Sequence, residues 1–546
     1  MTDALFEKPN FTEKEKYLIE PFFTNIDKSV YAVTFLPPEI VGALCSRASR
    51  SQNDLRIIFL NEFIKPFLTS NYGKTIKALI KFLHQHSFKE IFANPKAREF
   101  YIKWLAEYGD DSIAQMAGTH LIFSSLSQVA IKHIENQRVG LAPIEKSTRY
   151  VNFSKKINKH YRYFIPPIIK KLGLSEEYKT TMDIVFETYS VLCQNFFELL
   201  KYKYPQEQEI VLKTKTFDVM RNILPTATLS QVALFGNGQA FEYLINRSLK
   251  NPLEEIRWLG KKAYEELIKV IPAFLRRINK KASKEYQQYL SKQSQKTSEV
   301  LKKIKFTKQT TNESKVNLLD YDPEGENKII AALLYPETRE SFVKILNKVR
   351  KLKISEKEEI LKKILQDRKF RWYKVPRALE NVYLRFEIIT NIGAWRDLQR
   401  HRMQTQYHQK FNIYNGYEIP QEIQGTDLET KFIFAITKIE NLFRKIEKFD
   451  LNIAQYSVSF AHKIRFIQYQ NLRQFFWETE LRTIPQGHSD YRKAEQEKAK
   501  LIKKIYPLIG KYLIVDFNDY DFARRQISKN IQQKEKKLKN FLDNKN

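Results

Sequence analysis

Helical spacing of apolar residues dominates the pattern along this chain. From Ile256 to Leu275 and from Glu356 to Leu365, apolar side chains recur every three or four residues and charged side chains fill the gaps. Stretches that alternate like a strand are few and short, and the clearest are Val30 to Phe35 and Val382 to Ile389. The pattern therefore predicts a helix-rich α+β fold with small mixed sheets.

A lysine-rich polar stretch divides the chain. From Asn279 to Lys315, lysine is mixed with Gln, Ser and Thr. Such a composition is typical of a solvated helix or tether, and a nucleic-acid-binding arm is the alternative. We expect a linker at residues 279–315 between a first domain at 1–278 and a second domain at 316–546.

The two halves carry a faint internal repeat. Each has an apolar stretch, then a basic cluster, then a helical region and, much later, an Asn followed by an Arg. The basic clusters are Gln137-Arg138 and Arg400-His401-Arg402, and the later pairs are Asn237 with Arg247 and Asn471 with Arg482. Because the order is the same in both halves, we expect a duplication that has diverged.

Composition places the chain among folded proteins, since 42% hydrophobic and 13% aromatic residues are too many for a disordered polyelectrolyte. The chain has 93 Lys and Arg against 62 Asp and Glu, which gives a net charge of +31. That charge attracts polyanions, either nucleic acid or phosphate-bearing metabolites, but it is weak evidence for both, and a solvated basic surface is the interpretation that we favour.

Two cysteines, Cys45 and Cys193, can form at most one disulfide and leave nothing for a cysteine-rich zinc site. The N-terminal sequence lacks a signal-peptide pattern. Apolar runs such as Ile329 to Tyr335 are far shorter than the roughly 20 residues of a membrane span. We expect a cytoplasmic protein in a reducing compartment, without membrane association and without a metal site.

Three groups of residues could carry chemistry. Arg400-His401-Arg402 follows a predicted helix, where cations either compensate the helix dipole or clamp an anion such as pyrophosphate. Glu145, Ser147 and Arg149 alternate, so in an extended chain they would share one face and converge on one ligand. An exposed edge strand would show the same spacing.

The third group lies near residue 480. Glu478 and Arg482 have the spacing of an ion pair within a helix, and Arg473 lies on the same predicted helix. Pro485 and Gly487 end that helix, so His488 is expected on a loop and free to contact a ligand.

At these positions the chain resembles the flavin-dependent thymidylate synthase family, whose motif is R-H-R-x-x-S-x-N-E-x-S-x-R-Y. The second half keeps Arg400-His401-Arg402 but has Tyr407, His408, Lys410, Asn412 and Ile413 in place of N, E, S, R and Y. The first half has Asn136-Gln137-Arg138 for R-H-R, with one extra residue, and keeps the end of the motif as Glu145-x-Ser147-x-Arg149-Tyr150.

Outside the motif, too, family residues that one half has lost are kept in the other half. The family's earlier glutamate and its N-x-R are kept in the second half as Glu380 and Asn471-Leu472-Arg473. The first half has Gln115 and Asn237-Gly238-Gln239 there, with Ser112 near the family's threonine. The arginine before a Leu-Pro pair is kept as Arg221, against Gln455. The late arginine survives in both halves as Arg247 and Arg482, although Arg247 comes one residue early.

The resemblance implies a duplicated synthase that converts dUMP to dTMP with FAD, methylenetetrahydrofolate and NADPH, and that forms a homodimer, in effect a tetramer of repeats. It implies a composite site built from both repeats. For FAD the residues are Arg400, His401, Arg402, Glu380, Asn471, Arg473, His488 and Ser112; for dUMP they are Glu145, Ser147, Thr148, Arg149 and Arg221. Arg482 or Arg247 would be the catalytic arginine, set against the uracil ring.

One alternative stays open at this point. A non-catalytic paralogue, in which both halves have drifted, would bind nucleotide or nucleic acid through the basic surface and the lysine-rich linker. Complementary sets of kept residues favour the enzyme, because random decay would not be expected to leave them.

Overall fold

The computed structural model describes residues 6–86, 94–101, 103, 112–304 and 315–522, and beyond these residues 525, 530, 533–534 and 537. Lys305 and Lys308 of the expected linker lie outside the described residues. Two four-stranded sheets have the same strand order, β1-β2-β4-β3 and β5-β6-β8-β7. The strands are β1 Val30–Ala32, β2 Gly118–Ser127, β3 Leu141–Glu145, β4 Leu229–Asn237, β5 Lys315–Tyr321, β6 Tyr383–Asn391, β7 Thr405–His408 and β8 Lys463–Asn471.

The elements outside the two sheets are helices, so the helix-rich α+β prediction is confirmed. In the first half the α-helices are α1 Glu13–Ile19, α2 Pro38–Ala48, α3 Leu55–Ile58, α4 Lys65–Leu68, α5 Gly73–Gln85, α6 Pro95–Tyr101, α7 Gln128–Glu135, α8 Pro167–Lys171, α9 Ser175–Lys203, α10 Glu209–Met220, α11 Gly238–Leu249, α12 Glu254–Leu267, α13 Pro272–Leu275 and α14 Lys281–Lys303. A π-helical turn, Phe59–Ile64, joins α3 to α4. In the second half they are α15 Gly325–Leu334, α16 Phe342–Lys351, α17 Ile354–Leu365, α18 Ile392–Leu398, α19 Asp427–Glu447, α20 Leu451–Ala454, α21 Leu472–Arg482 and α22 Ser489–Ile505.

The central strands of each sheet run directly into helices. The side chain of the last strand residue accepts a hydrogen bond from the backbone N–H three positions on, which caps the helix and starts it at a fixed point. The four caps, on α7, α11, α18 and α21, are Ser127, Asn237, Asn391 and Asn471. This strand-to-helix junction therefore occurs twice in each half of the chain.

Some local expectations were wrong. All described strand pairs are antiparallel, so the sheets are not mixed. Strand β1 ends at Ala32 because Phe35 takes a φ of +49° and a proline pair follows. The helix expected from Ile256 to Leu275 breaks after Leu267, since Pro272 disfavours helical backbone before it.

The chain divides into two compact units that do not follow the sequence order. Unit 1 comprises Met1–Asn195, Val219–Gln309 and Glu422–Ser459, and unit 2 comprises Phe196–Asp218, Thr310–Gln421 and Phe460–Asn546. Each unit thus includes a segment from the other half of the chain. The boundaries at residues 278 and 316 remain a prediction about the two repeats along the sequence.

Within unit 1, equivalent positions of the two repeats pair with each other. Pro225 and Ser459 form an antiparallel bridge, and they occupy the same place four residues before β4 and β8. Thr226 N–H donates to the Val458 carbonyl at 2.7 Å. Tyr456 donates its hydroxyl to the buried Glu255 at 2.9 Å, and burial raises the pKa of that carboxyl to about 7. The segment from the second repeat is therefore bound into unit 1 by specific polar contacts.

The lysine-rich stretch is largely the helix α14. Most of its side chains are exposed, but Gln287 is buried and donates to the Asn246 Oδ1 of α11 at 2.9 Å. Among the described residues, no helix combines the length and apolar composition that a bilayer-spanning segment needs.

Candidate active site

The second repeat places Arg473 and Glu380 together. Asn471 ends β8 and accepts from the Gln474 N–H at 2.8 Å, which starts α21 and puts Arg473 in its first turn. Arg473 Nη1 donates to Glu380 Oε1 at 2.9 Å, and its Nε donates to the Val375 carbonyl at 3.0 Å. Hydrogen bonds from Arg377 and Arg473 hold the pKa of Glu380 below its usual value. This pair is about one-third exposed and can reach a ligand.

Arg400, His401 and Arg402 form a turn after α18 rather than its last helical turn. Arg400 and Arg402 are exposed, and Arg400 pairs with Asp397. His401 is buried and accepts from Arg482 Nε at 2.7 Å. Burial and the nearby Arg482 charge lower the pKa of His401 well below its usual value, so this ring is neutral at pH 7.

The hydrogen bonds of His401 assign its tautomer. Its Nε2 accepts from Arg482, so the neutral ring carries its proton on Nδ1. Gln474 Nε2 lies 3.4 Å from Nδ1, and a 180° rotation of that amide puts its oxygen there to accept the proton. Arg482 also donates Nη2 to the Asp397 carbonyl at 2.6 Å. The structure therefore brings Arg482, His401 and Arg400 together around Asp397.

His488 is not free, which corrects the expectation from the sequence. Its Nδ1 accepts from the Asp490 N–H at 3.2 Å and caps α22, and its Nε2 donates to the Asp218 carbonyl at 3.1 Å. The ring is buried. Both ring nitrogens are used inside unit 2, so His488 positions a helix start.

The first repeat holds Glu145 at the end of β3. Gln128 Nε2 donates to Glu145 Oε1 at 2.6 Å, and Lys132 Nζ lies 3.2 Å from its Oε2. The extended backbone expected from Glu145 to Arg149 was wrong. The N–H groups of the two residues after Arg149 both donate to the Ser147 carbonyl, so the chain turns there. Alternation along a strand therefore does not describe Ser147 and Arg149.

Two arginines of the nucleotide set are buried in unit 1. Arg149 follows Thr148 in the turn and is 7% exposed, and its N–H donates to Ser147 Oγ at 3.3 Å. Arg221 is 3% exposed and lies in the 3-10 turn Arg221–Ile223 that leads toward β4. Ser112 is exposed just before the turn Ile113–Gln115. The nucleotide set lies in unit 1, and the flavin set lies in unit 2 except for Ser112.

Equivalent positions of the two repeats can be compared residue by residue. Asn237 and Asn471 cap equivalent helices at the ends of strands of equal length. Gln239 therefore corresponds to Arg473. In the first repeat Gln115 Nε2 donates to Gln239 Oε1 at 3.0 Å. The ion pair of Arg473 with Glu380 is thus replaced by a neutral amide pair, with both partners changed together.

The strand register makes Glu145 equivalent to His408. Glu145 lies opposite Val232 and His408 opposite Phe466, at the same place in β4 and β8. His408 Nδ1 lies 2.9 Å from the Gln409 carbonyl, and burial lowers the pKa of the ring. Here the first repeat has kept a carboxylate and the second has a neutral ring.

Arg247 and Arg482 make the same backbone contact, although they differ by one position in their helices. Arg247 Nη2 donates to the His133 carbonyl at 3.1 Å, and His133 corresponds to Asp397, whose carbonyl Arg482 binds. Each arginine also lies beside an imidazole: Arg482 Nε donates to His401 Nε2 at 2.7 Å, whereas Arg247 Nη2 lies 3.5 Å from Nδ1 of His133 itself. The two arginines therefore share a structural role and differ in the group beside them.

Sequence reasoning missed a buried polar network beneath α21. Lys498 Nζ donates to Glu495 Oε1 and to Gln468 Oε1, both at 2.8 Å, and Gln468 Nε2 donates to Glu478 Oε1 at 2.8 Å. All four side chains are fully buried, and burial raises the pKa of Glu478 to about 7. Glu478 lies one helical turn from Arg482, so the network supports the helix that carries the candidate catalytic arginine.

The first repeat has leucines in this place. Gln468 and Glu478 correspond to Leu234 and Leu244, which are both fully buried. The signal in the sequence was a set of polar residues at core positions of α21 and α22, which only the repeat alignment reveals.

The described residues contain no group of three His, Cys, Asp or Glu side chains that could hold a metal ion. Both cysteines are unbonded and buried, and burial raises the pKa of each thiol to about 12. Neither thiol is therefore a nucleophile at neutral pH.

A family model described as thymidylate synthase complementing protein matches residues 68–273 and 317–508. The chain belongs to this family, and the resemblance to flavin-dependent thymidylate synthases as an internally duplicated protein is confirmed. A UPF0159 protein of Chlamydia muridarum is 33% identical over 533 residues, which cover 95% of this chain and 98% of that protein. One of Chlamydia pneumoniae is 32% identical with the same coverage, and one of Thermoplasma acidophilum is 29% identical over 90% of this chain and 98% of its own length.

The leucines of the first repeat provide a test of the network. Lys498→Met should destabilise the protein by about 3 kcal/mol, because two carboxylates remain buried without their cation. The cost should be smaller at pH 6 than at pH 8, since Glu478 takes up a proton through a pKa near 7. Replacing Gln468, Glu478 and Glu495 by leucine in the same variant should recover the lost stability in urea unfolding. A fourfold variant as unstable as Lys498→Met would contradict this.

Proposed function

We propose that this protein is an FAD-dependent thymidylate synthase that methylates dUMP reductively to dTMP, with methylenetetrahydrofolate as carbon donor and NADPH as reductant. The second repeat would supply the flavin-binding residues and the first the nucleotide-binding residues. The observation that carries this proposal is complementary retention at equivalent positions. The Arg473–Glu380 ion pair of the second repeat corresponds to a neutral glutamine pair in the first. Glu145 of the first repeat corresponds to the neutral His408 ring in the second.

The charged groups of the second repeat fit FAD. The side chains of Arg400 and Arg473 are about one-third exposed or more. Their guanidinium groups can donate forked hydrogen bonds to the oxygens of a diphosphate. Asn471 and Glu380 would fix Arg473, and His401 would fix Arg482. When bound, FAD would supply the hydride. Arg402 and Ser112 remain predicted flavin contacts, and His488 would act through the start of α22.

The first repeat fits a nucleotide monophosphate. Arg149 and Arg221 are buried cations, and in a site of low dielectric a phosphate dianion binds such groups strongly. Ser147 and Thr148 add hydroxyl donors in the same turn, and Glu145 would be held for the ligand by Lys132. These residues would orient dUMP, and the reaction needs no cysteine nucleophile.

Arg482 is the candidate for electrostatic catalysis. Its side chain is 15% exposed, and it is fixed by His401 and by the Asp397 carbonyl. A guanidinium held in this way would stabilise negative charge on the uracil ring, which makes C5 nucleophilic. Arg247 is the other candidate. A homodimer would bring four repeats together, and we expect a cytoplasmic enzyme.

The visible spectrum of the purified protein tests the class of enzyme. A yellow protein should form with FAD and should be bleached by NADPH when dUMP is present, because the reductive step then has both its cofactor and its acceptor. Product formation from dUMP is measured in the same sample. A protein that takes up no added FAD would refute the proposal and favour a non-catalytic nucleotide or nucleic-acid binder.

Arg482 and Arg247 form a matched pair of test positions, since both bind an equivalent helix carbonyl. Arg482→Ala should lower kcat by about a hundredfold or more while FAD stays bound, because a charge-stabilising donor is lost. Arg247→Ala removes the equivalent structural contact and should keep most of the activity. Steady-state turnover and the flavin spectrum are measured for both variants. Wild-type turnover in Arg482→Ala would exclude its catalytic role.

A further inference from the structure

Three aromatic rings are clustered on the surface of unit 2, in a segment that we name the aromatic loop (residues 367–375). Phe370, Trp372 and Tyr373 are 45%, 59% and 45% exposed. The Phe370 and Trp372 rings stack with centroids 4.5 Å apart and planes 5° apart, and Tyr373 packs edge-on against both. Exposed clusters of large apolar side chains mark interaction sites in soluble proteins.

The aromatic loop is held in place from below. Arg368 has a side chain only 6% exposed, and its Nε donates to the Tyr373 carbonyl at 2.6 Å. Its Nη1 donates to Glu480 Oε1 at 2.7 Å and to the Tyr512 carbonyl at 3.0 Å. A buried Arg–Glu pair is weak evidence for stability, but it fixes geometry. The rings are therefore presented in advance, which lowers the entropic cost of binding.

Cations alternate with the rings. Lys369, Arg371 and Lys374 lie in the aromatic loop, where Asp367 is the one acidic residue. Lys374 Nζ lies 3.0 Å from the centroid of the Trp477 ring on α21. Partial desolvation and the neighbouring Arg473 charge lower the pKa of Lys374. This surface offers stacking faces together with positive charge, a combination that suits a planar anion.

The aromatic loop adjoins the flavin residues. Arg473 Nε donates to the carbonyl of Val375, the last residue of the loop. The aromatic loop therefore lies directly beside Arg473, a residue of the predicted flavin set.

We infer that the aromatic loop binds a planar heteroaromatic ring carrying anionic groups, and that this ligand is the co-substrate that exchanges hydride or carbon beside the flavin. The identity of the co-substrate rests on the proposed function. The three ring centroids lie within 6.5 Å of one another, so the cluster offers a face to one heterocycle at a time. Successive bases of a nucleic-acid strand would need rings spaced along a groove.

Two probes distinguish a hydride-donating from a carbon-donating co-substrate. They are NADP+, which carries phosphates, and 5-formyltetrahydrofolate, which carries carboxylates. Each is titrated separately into the full chain by calorimetry at low salt, with and without FAD. We expect at least one to bind and Trp372→Ala to weaken it about tenfold or more. Trp372→Phe should stay within about threefold, because a stacking face remains. Arg371→Gln should weaken binding and reduce its salt dependence.

Tyr202→Ala is the matched control, since Tyr202 is 87% exposed elsewhere in unit 2 and its loss should change nothing. Equal affinities of wild type and Trp372→Ala for both probes would overturn the inference. A Trp372-dependent affinity for a single-stranded oligonucleotide alone would also overturn it. Trp372-dependent binding without turnover would refute only the proposed function. Turnover with unchanged KM values in Trp372→Ala would refute only the aromatic-loop site.

Discussion

A charged side chain held partly away from water needs a partner of opposite charge, and this requirement governs how the two repeats differ. Arg473 and Glu380 form one such pair, and in the first repeat both positions have become glutamine, which still pair with each other. Losing only Glu380 would have left the Arg473 guanidinium without the carboxylate that it pairs with. Both residues of the pair therefore differ together between the two repeats.

The same constraint applies to the opposite set. Glu145 in the first repeat is surrounded by Gln128 and Lys132. At the equivalent place in the second repeat, His408 packs 4.8 Å from Trp395 and is neutral. The residue and its neighbours therefore differ together between the two repeats. Scattered substitution of single residues would not give this pattern. This pattern supports a division in which one repeat binds flavin and the other binds the nucleotide.

Much of the fold and of the repeat alignment was predictable from the sequence, because helix caps and apolar periodicity are local. The strand register makes Glu145 and His408 equivalent positions, in agreement with their places in the motif. The turn at Ser147 and the cap at His488 were not predictable, since backbone hydrogen bonds chosen in three dimensions decide them. The segment Glu422–Ser459 in unit 1 and the network around Lys498 depend on contacts between residues distant in sequence.

The central claim is that each repeat has kept a different ligand set, and the number of ligands bound per chain tests it most directly. FAD and dUMP are counted in one sample by equilibrium dialysis against saturating concentrations of both. The account predicts one FAD and one dUMP per chain, with FAD lost in Arg473→Gln and both ligands retained in Gln239→Ala. Two FAD molecules per chain, or full FAD occupancy in Arg473→Gln, would contradict it.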